Sequence, residues 1–189
     1  MKLRGVLPFA RFLLEEVLEP GDIAIDCTAG NGHDSVFLAK LVPAGHVYSF
    51  DIQIEAIENT RTRLEEHDLS HRVTLIHEGH ETVKQHIPVS DYSKVHAAIF
   101  NLGYLPGGDK TIVTEPSSTI QAIDSLLTFM PRGGTIVLVI YHGHEKGKIE
   151  KEYVEAYTES LDQQHVHVLK YQFINQDQSP PFVIAIEKR

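Results

Sequence analysis

The stretch DCTAGNGHDS at residues 26–35 decides how this chain folds. An apolar run, DIAIDC, leads into it at residues 22–27, and apolar residues at helical spacing follow it at 33–42. Gly30 and Gly32 lie between the two. Glycine lets a ligand approach the backbone closely where a first strand turns into a helix. The stretch therefore predicts a nucleotide-binding turn at the start of an α/β fold.

The residues around this turn favour one kind of ligand. The dinucleotide fingerprint GxGxxG needs Gly or Ala where this chain has Ser35. Asp26 and Asp34 flank the turn, and they suit a cationic group better than a phosphate because like charges repel. Asp51, 19 residues after Gly32, ends the next predicted strand and can accept hydrogen bonds from both hydroxyls of a ribose. An adenosine with a positively charged tail fits, and S-adenosylmethionine (SAM) is such a molecule.

The rest of the chain alternates apolar runs with helical patterns. Strands are predicted at 22–27, 46–51, 72–77, 95–103, 135–141, 165–173 and 181–188. Helices are predicted at 5–18, 33–42, 54–69, 116–130 and 146–164. Val- and Ile-rich runs separated by helices indicate a parallel sheet covered on both faces, and two final strands with no helix between them indicate an antiparallel hairpin. We predict one domain over residues 1–189 with an α/β, Rossmann-like fold: a seven-stranded, mostly parallel sheet with an antiparallel C-terminal hairpin and an added N-terminal helix.

Composition and charge narrow the classes of function. The net charge of −9 argues against broad nucleic-acid binding, which needs many Lys and Arg contacts to phosphate, but it allows a small local basic face. The one cysteine, Cys27, and the lack of a long uninterrupted apolar stretch predict a cytoplasmic protein without a membrane segment. No HExxH occurs and the histidines are scattered, so no metal site is predicted.

Several motifs together resemble a known group of enzymes. Motif I of class I SAM-dependent methyltransferases resembles DCTAGNGHDS, their ribose-binding acid matches Asp51, and the strand order is theirs. One bacterial family, largely of Gram-positive bacteria and once labelled rRNA methylase, is similar in FNLGYLPGGDK (100–110), VLVIYHGHEKGK (137–148) and FINQDQSPPF (173–182). That family is now linked to methylating the aminomethyl group of 5-aminomethyl-2-thiouridine at the tRNA wobble position. The resemblance covers nearly the whole chain and implies a class I methyltransferase fold, SAM as cofactor and a tRNA anticodon stem-loop as partner.

The acceptor of the methyl group is expected beyond the fourth predicted strand. The segment Asn101-Leu102-Gly103-Tyr104 resembles the Asn/Asp-Pro-Pro-Tyr/Phe motif of amino-group methyltransferases, with Leu-Gly in place of Pro-Pro. An amine nucleophile needs acceptors that orient its N–H bonds and leave its lone pair aimed at the methyl carbon. The side-chain carbonyl of Asn101 can do this, and Tyr104 can stack on a flat base.

A proton must also leave the amine, so a general base or a proton path is expected. Tyr141, His142 and His144 follow the fifth predicted strand and are the candidates. The predicted catalytic residues are Asn101, Tyr104, Tyr141 and His142.

Two further groups of residues are predicted to bind ligands. The residues predicted to contact SAM are Asp26, Thr28, Gly30, Asn31, Gly32, Asp34, Asp51, Gln53 and Asn101. The residues predicted to contact the substrate are Lys110, Lys146, Lys148, Asn175 and Gln176. The lysines would supply the basic face that an RNA phosphate needs, and the two amides belong to a predicted loop at the same end of the sheet. A solvated helix end and a plain structural turn are the alternatives for these two groups.

Other interpretations remain open from the residues alone. An rRNA or small-molecule methyltransferase would share the cofactor site, and the acidic net charge favours a small molecule. A nucleotide-binding regulatory or oxidoreductase domain is a third alternative, against which Ser35 and the acids of the turn count. One apolar face of the predicted N-terminal helix can either cover the sheet or join two copies in a homodimer. It is formed by Val6, Phe9, Leu13 and Val17.

Overall fold

Alternating helices and strands form the protein, shown here by a computed structural model that describes residues 2–103, 105, 107, 113–143, 145–177 and 179–189, with the backbone alone at 145 and 146. The helices are α1 (Val6–Val17), α2 (His33–Leu41), α3 (Ile54–Glu66), α4 (Val83–His86), α5 (Pro116–Phe129) and α6 (Glu145–Ser160). The strands are β1 (Ile23–Asp26), β2 (His46–Phe50), β3 (Val73–Ile76), β4 (Val95–Leu102), β5 (Thr135–Ile140), β6 (Val166–Tyr171) and β7 (Phe182–Lys188). Short 3-10 helices lie at Ser70–Arg72, His80–Thr82 and Val89–Lys94.

The strands form one sheet in the order β3-β2-β1-β4-β5-β7-β6. The pairs from β3 to β5 are parallel, and β7 runs antiparallel between β5 and β6. The predicted fold class is confirmed, including the antiparallel C-terminal hairpin and the added N-terminal helix. The chain crosses from one side of β1 to the other when it passes from β3 to β4, and ligands bind at the carboxyl ends of strands beside such a switch point.

The central strands are mostly apolar because helices cover both of their faces. On one face Phe50, Phe100 and Leu126 belong to a cluster of fully buried side chains from the sheet and α5. On the other face Leu38 and Leu64 belong to a second cluster, which α1, α2 and α3 close. This packing holds the carboxyl ends of β1, β2, β4 and β5 in fixed positions at one edge of the sheet.

The N-terminal helix α1 covers the second face of the sheet beside β4, β5 and β7. Ala10 and Leu14 are its fully buried residues, and the predicted apolar face packs partly buried against the same cluster. Within that face the ring of Phe9 stacks on Tyr171, with 3.9 Å between ring centroids. Of the two alternatives for α1, covering the sheet is confirmed, and the homodimer stays a prediction.

The segment between β3 and β4 has no predicted element, and the structure places short helices there. Residues 80–82 and 89–94 are 3-10 turns on either side of the single-turn helix α4. Helices this short carry no readable hydrophobic period, which explains why the sequence pattern does not predict them. Among the described residues, no helix is both long and apolar enough to cross a membrane.

Candidate cofactor and acceptor cavities

Two adjoining cavities open at the carboxyl ends of the strands. The first, of about 360 Å³, is lined from the ends of β1, β2 and β4, the 3-10 helix after β3 and the start of α5. The second, of about 890 Å³, is lined from α1, the start of α2, the residues after β5 and the residues before β7. We call them the cofactor cavity and the acceptor cavity. Both walls include Thr28, Gly30, Asn101 and Gly103, so these residues can contact molecules in either cavity.

The glycine turn has the conformation that its sequence predicts. Gly30 and Gly32 have φ angles of +53° and +77°, a backbone conformation that residues other than glycine rarely adopt. A Cβ atom on Gly32 would lie 2.9 Å from Cα of Thr60, so α3 packs directly against the turn. Glycine at position 32 is therefore required both by the backbone and by the neighbouring helix.

Asp51, predicted to bind a ribose, forms part of the wall of the cofactor cavity. Its Oδ2 accepts a hydrogen bond from the Gly30 amide at 3.0 Å, and its Oδ1 accepts one from the Gln53 amide at 2.9 Å. Burial raises the pKa of Asp51, and these two amides partly oppose that shift. Each carboxylate oxygen keeps a further acceptor position, so the side chain can receive a pair of neighbouring hydroxyl groups. Gln53 lines the same wall.

Asp26 is placed beneath the turn instead of in a cavity, which corrects its predicted contact with the cofactor. Its side chain is 0% exposed, and its carboxyl group accepts hydrogen bonds from the Ser35 hydroxyl at 2.7 Å and the Thr28 amide at 3.2 Å. Burial, and after it the charge of Asp34, raises the pKa of Asp26 to about 7. This group supports the turn from below.

Asp34 connects the turn to two other segments across the acceptor cavity. Its Oδ1 accepts hydrogen bonds from Nη2 of Arg11 at 3.0 Å and from Nε of the same side chain at 3.4 Å. Its Oδ2 accepts a hydrogen bond from Nδ2 of Asn101 at 2.8 Å. The ion pair with Arg11 offsets the negative charge that the sequence places beside the ligand.

Asn101 occupies the wall between the two cavities. Its backbone amide donates a hydrogen bond to Oγ1 of Thr28 at 2.7 Å, which ties β4 to the glycine turn. Its side-chain NH₂ group faces Asp34. The side-chain carbonyl Oδ1 accepts no hydrogen bond from the described part of the chain, and it is available to a ligand. Asn31 also lines the acceptor cavity, where its Oδ1 accepts a hydrogen bond from Asn59 at 3.0 Å.

Tyr141 and His142, the predicted catalytic residues that follow β5, both line the acceptor cavity. His142 is 8% exposed, and its Nδ1 has no hydrogen-bond partner within the residues that the structure describes. Burial, and after it the charge of Lys151, lowers the pKa of His142. Burial raises the pKa of Tyr141. The histidine is therefore neutral near pH 7 and can accept a proton, whereas the tyrosine keeps its own.

The residues predicted to contact the substrate do not lie together in one cavity wall. Lys148, Asn175 and Gln176 are exposed and lie outside both cavity walls, although Ser179 and Pro181 from the same loop line the acceptor cavity. The loop between β6 and β7 is thus at the expected end of the sheet. Several predicted positions lie outside the described residues, namely Tyr104, Lys110, His144 and the side chain of Lys146.

The structure adds residues that sequence reasoning missed. His80 lines the cofactor cavity, where its ring nitrogens contact the Cys27 carbonyl at 2.9 Å and the Ser118 hydroxyl at 3.4 Å. The sequence signal that could have identified His80 is its position just past the carboxyl end of β3, where ligands bind in this type of sheet. Arg11 gave no such signal, because the polar face of an amphipathic helix is ordinarily solvated.

The strand order, the glycine turn and the acid after β2 define the fold and nucleotide-binding edge of class I SAM-dependent methyltransferases. Within that class, the model of the family described as "Putative rRNA methylase" matches residues 47–187. The chain belongs to this family.

Individual relatives agree with this assignment. A crystal structure of a "putative rRNA-methylase" from Clostridium thermocellum is 40% identical, with a TM-score of 0.95 over 100% of both chains. A "putative methyltransferase" from Streptococcus mutans, solved in complex with SAH, is 38% identical, with a TM-score of 0.89 over 99% of both chains. A "tRNA (mnm(5)s(2)U34)-methyltransferase, chloroplastic" from Arabidopsis thaliana is 35% identical over 95% of this chain and 68% of its own.

Proposed function

We propose that this protein is a SAM-dependent N-methyltransferase that methylates the 5-aminomethyl group of 2-thiouridine at wobble position 34 of tRNA. One observation carries the reaction class: Asn101 lies in the wall shared by a cofactor cavity and an acceptor cavity, with its carbonyl unpaired in the described structure. Methyl transfer requires the donor and the acceptor to meet at one point, and positioning supplies most of the catalysis.

The cofactor cavity fits SAM in both size and chemistry. Small-molecule sites span roughly 300–1,000 Å³, and this cavity is about 360 Å³. Asp51 would hold the ribose hydroxyls, and the open turn at Gly30 would let the ligand approach the backbone. When bound, SAM supplies an electrophilic methyl group on a sulfonium. The SAH that occupies the Streptococcus mutans relative is the molecule that remains once SAM has given up its methyl group.

The remaining predicted cofactor residues have roles around the same turn. Thr28 holds the backbone of Asn101, and Gly32 allows α3 to pack against the turn. Asn31 and Asp34 lie on its acceptor side, and Gln53 lies beside the ribose acid.

The acceptor side fits an amine. An amine attacks through its lone pair, so its N–H bonds must be directed elsewhere, and Oδ1 of Asn101 can accept one of them. A primary amine is largely protonated near pH 7, and its proton must leave before attack. His142, which is neutral and buried in the cavity wall, takes up that proton, and Tyr141 forms the wall beside it.

The choice of tRNA rests on the relatives. The Arabidopsis thaliana relative is named for tRNA mnm5s2U34 methylation and aligns with 95% of this chain. The acceptor cavity, at about 890 Å³, has room for a flipped base. Lys148, Asn175 and Gln176 are exposed, and we assign them to contacts with the backbone of an anticodon stem-loop.

Mass spectrometry of tRNA nucleosides tests the substrate. A strain that lacks this gene should accumulate 5-aminomethyl-2-thiouridine and lose its methylated form. The wild-type gene should restore the methylated nucleoside, and a gene carrying Asn101→Ala should not. Purified protein with SAM should methylate tRNA from the deletion strain and leave rRNA from that strain unchanged. A normal nucleoside profile in the deletion strain would refute the tRNA assignment, and methylation of rRNA alone would move the protein to the second candidate substrate.

Calorimetric titration tests the cofactor. SAM should bind and NAD should not. Asp51→Ala should weaken SAM binding by about 1–3 kcal/mol, because it removes charge-assisted hydrogen bonds to the ribose. Glu66→Ala removes an exposed acid at the last residue of α3, outside both cavity walls; it is the matched control and should bind SAM normally. Unchanged SAM affinity in Asp51→Ala would remove the ribose role from that residue.

A further inference from the structure

Arg11 reaches from the N-terminal helix into the wall of the acceptor cavity. Its guanidinium donates two hydrogen bonds to Oδ1 of Asp34, at 3.0 Å and 3.4 Å, and lies 4.9 Å from the ring centre of Phe37. The side chain of Arg11 is 42% exposed and that of Asp34 is 12% exposed, so the pair is only partly screened by water. Because both donors use Oδ1, Oδ2 is left for Asn101.

The chemistry of a carboxylate fixes which end of the Asn101 amide faces Asp34. An ionised carboxylate can only accept hydrogen bonds, so it pairs with the NH₂ group and never with the carbonyl. The contact from Nδ2 of Asn101 to Oδ2 of Asp34 is 2.8 Å. The carbonyl Oδ1 must then point away from Asp34, on a residue that lines both cavities.

We propose that Arg11 is a positioning residue for methyl transfer, acting through Asp34 to hold the Asn101 carbonyl toward the acceptor amine. This inference rests on the role proposed above for Asn101. Arg11 also offsets the charge of Asp34. A lone carboxylate beside the amine would stabilise its ammonium form, which has no lone pair to attack the methyl carbon. The Arg11–Asp34 ion pair therefore orients the amide of Asn101 without stabilising the unreactive ammonium form of the acceptor.

Steady-state kinetics with tRNA from the deletion strain test this role. Arg11→Ala should lower kcat about 10–100-fold, the range seen when a partner that orients a reacting group is removed. The KM for tRNA and the Kd for SAM should change less than about threefold. Arg11→Lys should recover part of the loss, since an ammonium can still pair with Asp34. Arg4→Ala is the matched control and should behave as wild type, because Arg4 packs over Phe12 outside both cavity walls.

A double-mutant cycle separates positioning from RNA binding. If Arg11 orients Asn101, Arg11→Ala should lower kcat clearly less in the Asn101→Ala background than in the wild type, because only its effect on the charge of Asp34 is left to lose. If Arg11 instead binds an RNA phosphate, the loss would appear in the KM for tRNA and would persist in the Asn101→Ala background. The second result would overturn the positioning role.

Nuclear magnetic resonance gives a readout that does not depend on turnover. In ¹⁵N-labelled protein, Arg11→Ala should shift the side-chain amide resonances of Asn101 and speed their exchange with water about tenfold, because Asp34 is no longer held in place. Unchanged Asn101 resonances would overturn the inference even if kcat falls. If the wild-type enzyme transfers no methyl group to any RNA, the proposed function fails, and these resonances still decide whether Arg11 orients Asn101.

Discussion

At the scale of single residues, the charges around the glycine turn differ from those that the sequence indicates. The sequence predicts two anionic groups, Asp26 and Asp34, beside the ligand. In the structure the first is buried with a pKa of about 7, and the second is paired with Arg11, 23 residues away in sequence. Ser35, which counted only against a dinucleotide site, donates the buried hydrogen bond to Asp26. The preference for SAM therefore rests more on Asp51 than on the flanking acids.

Asp26 should make stability depend on pH. Its folded pKa is raised from 3.8 to about 7, so between these values the folded state holds a proton that the unfolded state has lost. Stability should therefore fall as pH rises, by about 2–3 kcal/mol between about pH 5 and pH 8. Asp26→Asn has no carboxyl group to titrate. Its amide can still accept a hydrogen bond from the Thr28 amide and donate one to the Ser35 hydroxyl. Urea unfolding of both proteins at the two pH values measures the difference, and parallel pH dependence would contradict the burial-driven shift.

His142 should matter most where the acceptor amine is protonated. His142→Gln should lower kcat about 100-fold near pH 7, the scale of a lost general base, with SAM affinity unchanged. The deficit should shrink as pH rises toward about 9.5, because solvent then deprotonates the amine. Kinetics across this range measure the effect, and His167→Gln on the exposed face of β6 is the control. An equal deficit at every pH would mean that His142 shapes the cavity without accepting a proton.

At the scale of elements, the sequence predicts the strands and longer helices, which have a hydrophobic pattern, and misses the short turns, which have none. Each strand and each longer helix lies within a few residues of its predicted bounds, because continuous apolar runs and helical spacing report burial directly. The turns between β3 and β4 have no such period, and with them the prediction missed His80. Contacts between elements are also invisible to local patterns. Gly32 is needed partly because Thr60, on another helix, packs against it.

Glu150 ties α6 to the edge of the cofactor cavity and is not apparent from sequence. The side chain is 2% exposed, and it accepts hydrogen bonds from the hydroxyls of Thr114 at 2.5 Å and Thr119 at 3.2 Å. Thr114 in turn pairs with both backbone polar groups of Gly103, which follows Asn101 by two residues. Burial raises the pKa of Glu150. One buried carboxyl group thus joins α5 and α6 to the segment that follows Asn101.

Removing Glu150 should therefore destabilise this side of the molecule. Glu150→Ala leaves the buried hydroxyl of Thr119 and the part-buried hydroxyl of Thr114 without this acceptor and should reduce the free energy of unfolding by about 2–4 kcal/mol. Glu150→Gln keeps one acceptor and the volume of the side chain, and it removes the burial penalty of a charge. The loss in free energy of unfolding for Glu150→Gln should be less than half of that for Glu150→Ala. Urea unfolding measures both variants, and equal losses would contradict this prediction, because they would show that only the complete carboxylate, with both acceptor oxygens, stabilises the fold.

At the scale of the whole molecule, the acceptor cavity is assembled from segments far apart in the chain. Leu7 and Arg11 come from α1, Asp34 from α2, Tyr141 from the end of β5 and Pro181 from the start of β7. The carboxyl-end rule predicts that the strand ends converge, and Asn101, Tyr141 and His142 do. No rule of spacing predicts that α1 joins them, because the side of the sheet that an added helix covers is set by packing alone. For this reason the sequence predicts the residues of the cofactor cavity better than those of the acceptor cavity.

The net charge of −9 sets how such a protein can hold tRNA. Few cations are available, so the logarithm of tRNA affinity should fall with the logarithm of salt concentration at a slope of magnitude below about 4. Lys148→Glu should weaken binding and make the slope shallower by about 1–2, because it loses one phosphate contact and adds repulsion. Lys40→Glu, exposed at the far end of α2, makes the same charge change away from the cavities and should have a smaller effect. Filter binding over a salt series measures both, and equal effects of the two variants would mean that tRNA responds to total charge and not to a local basic face.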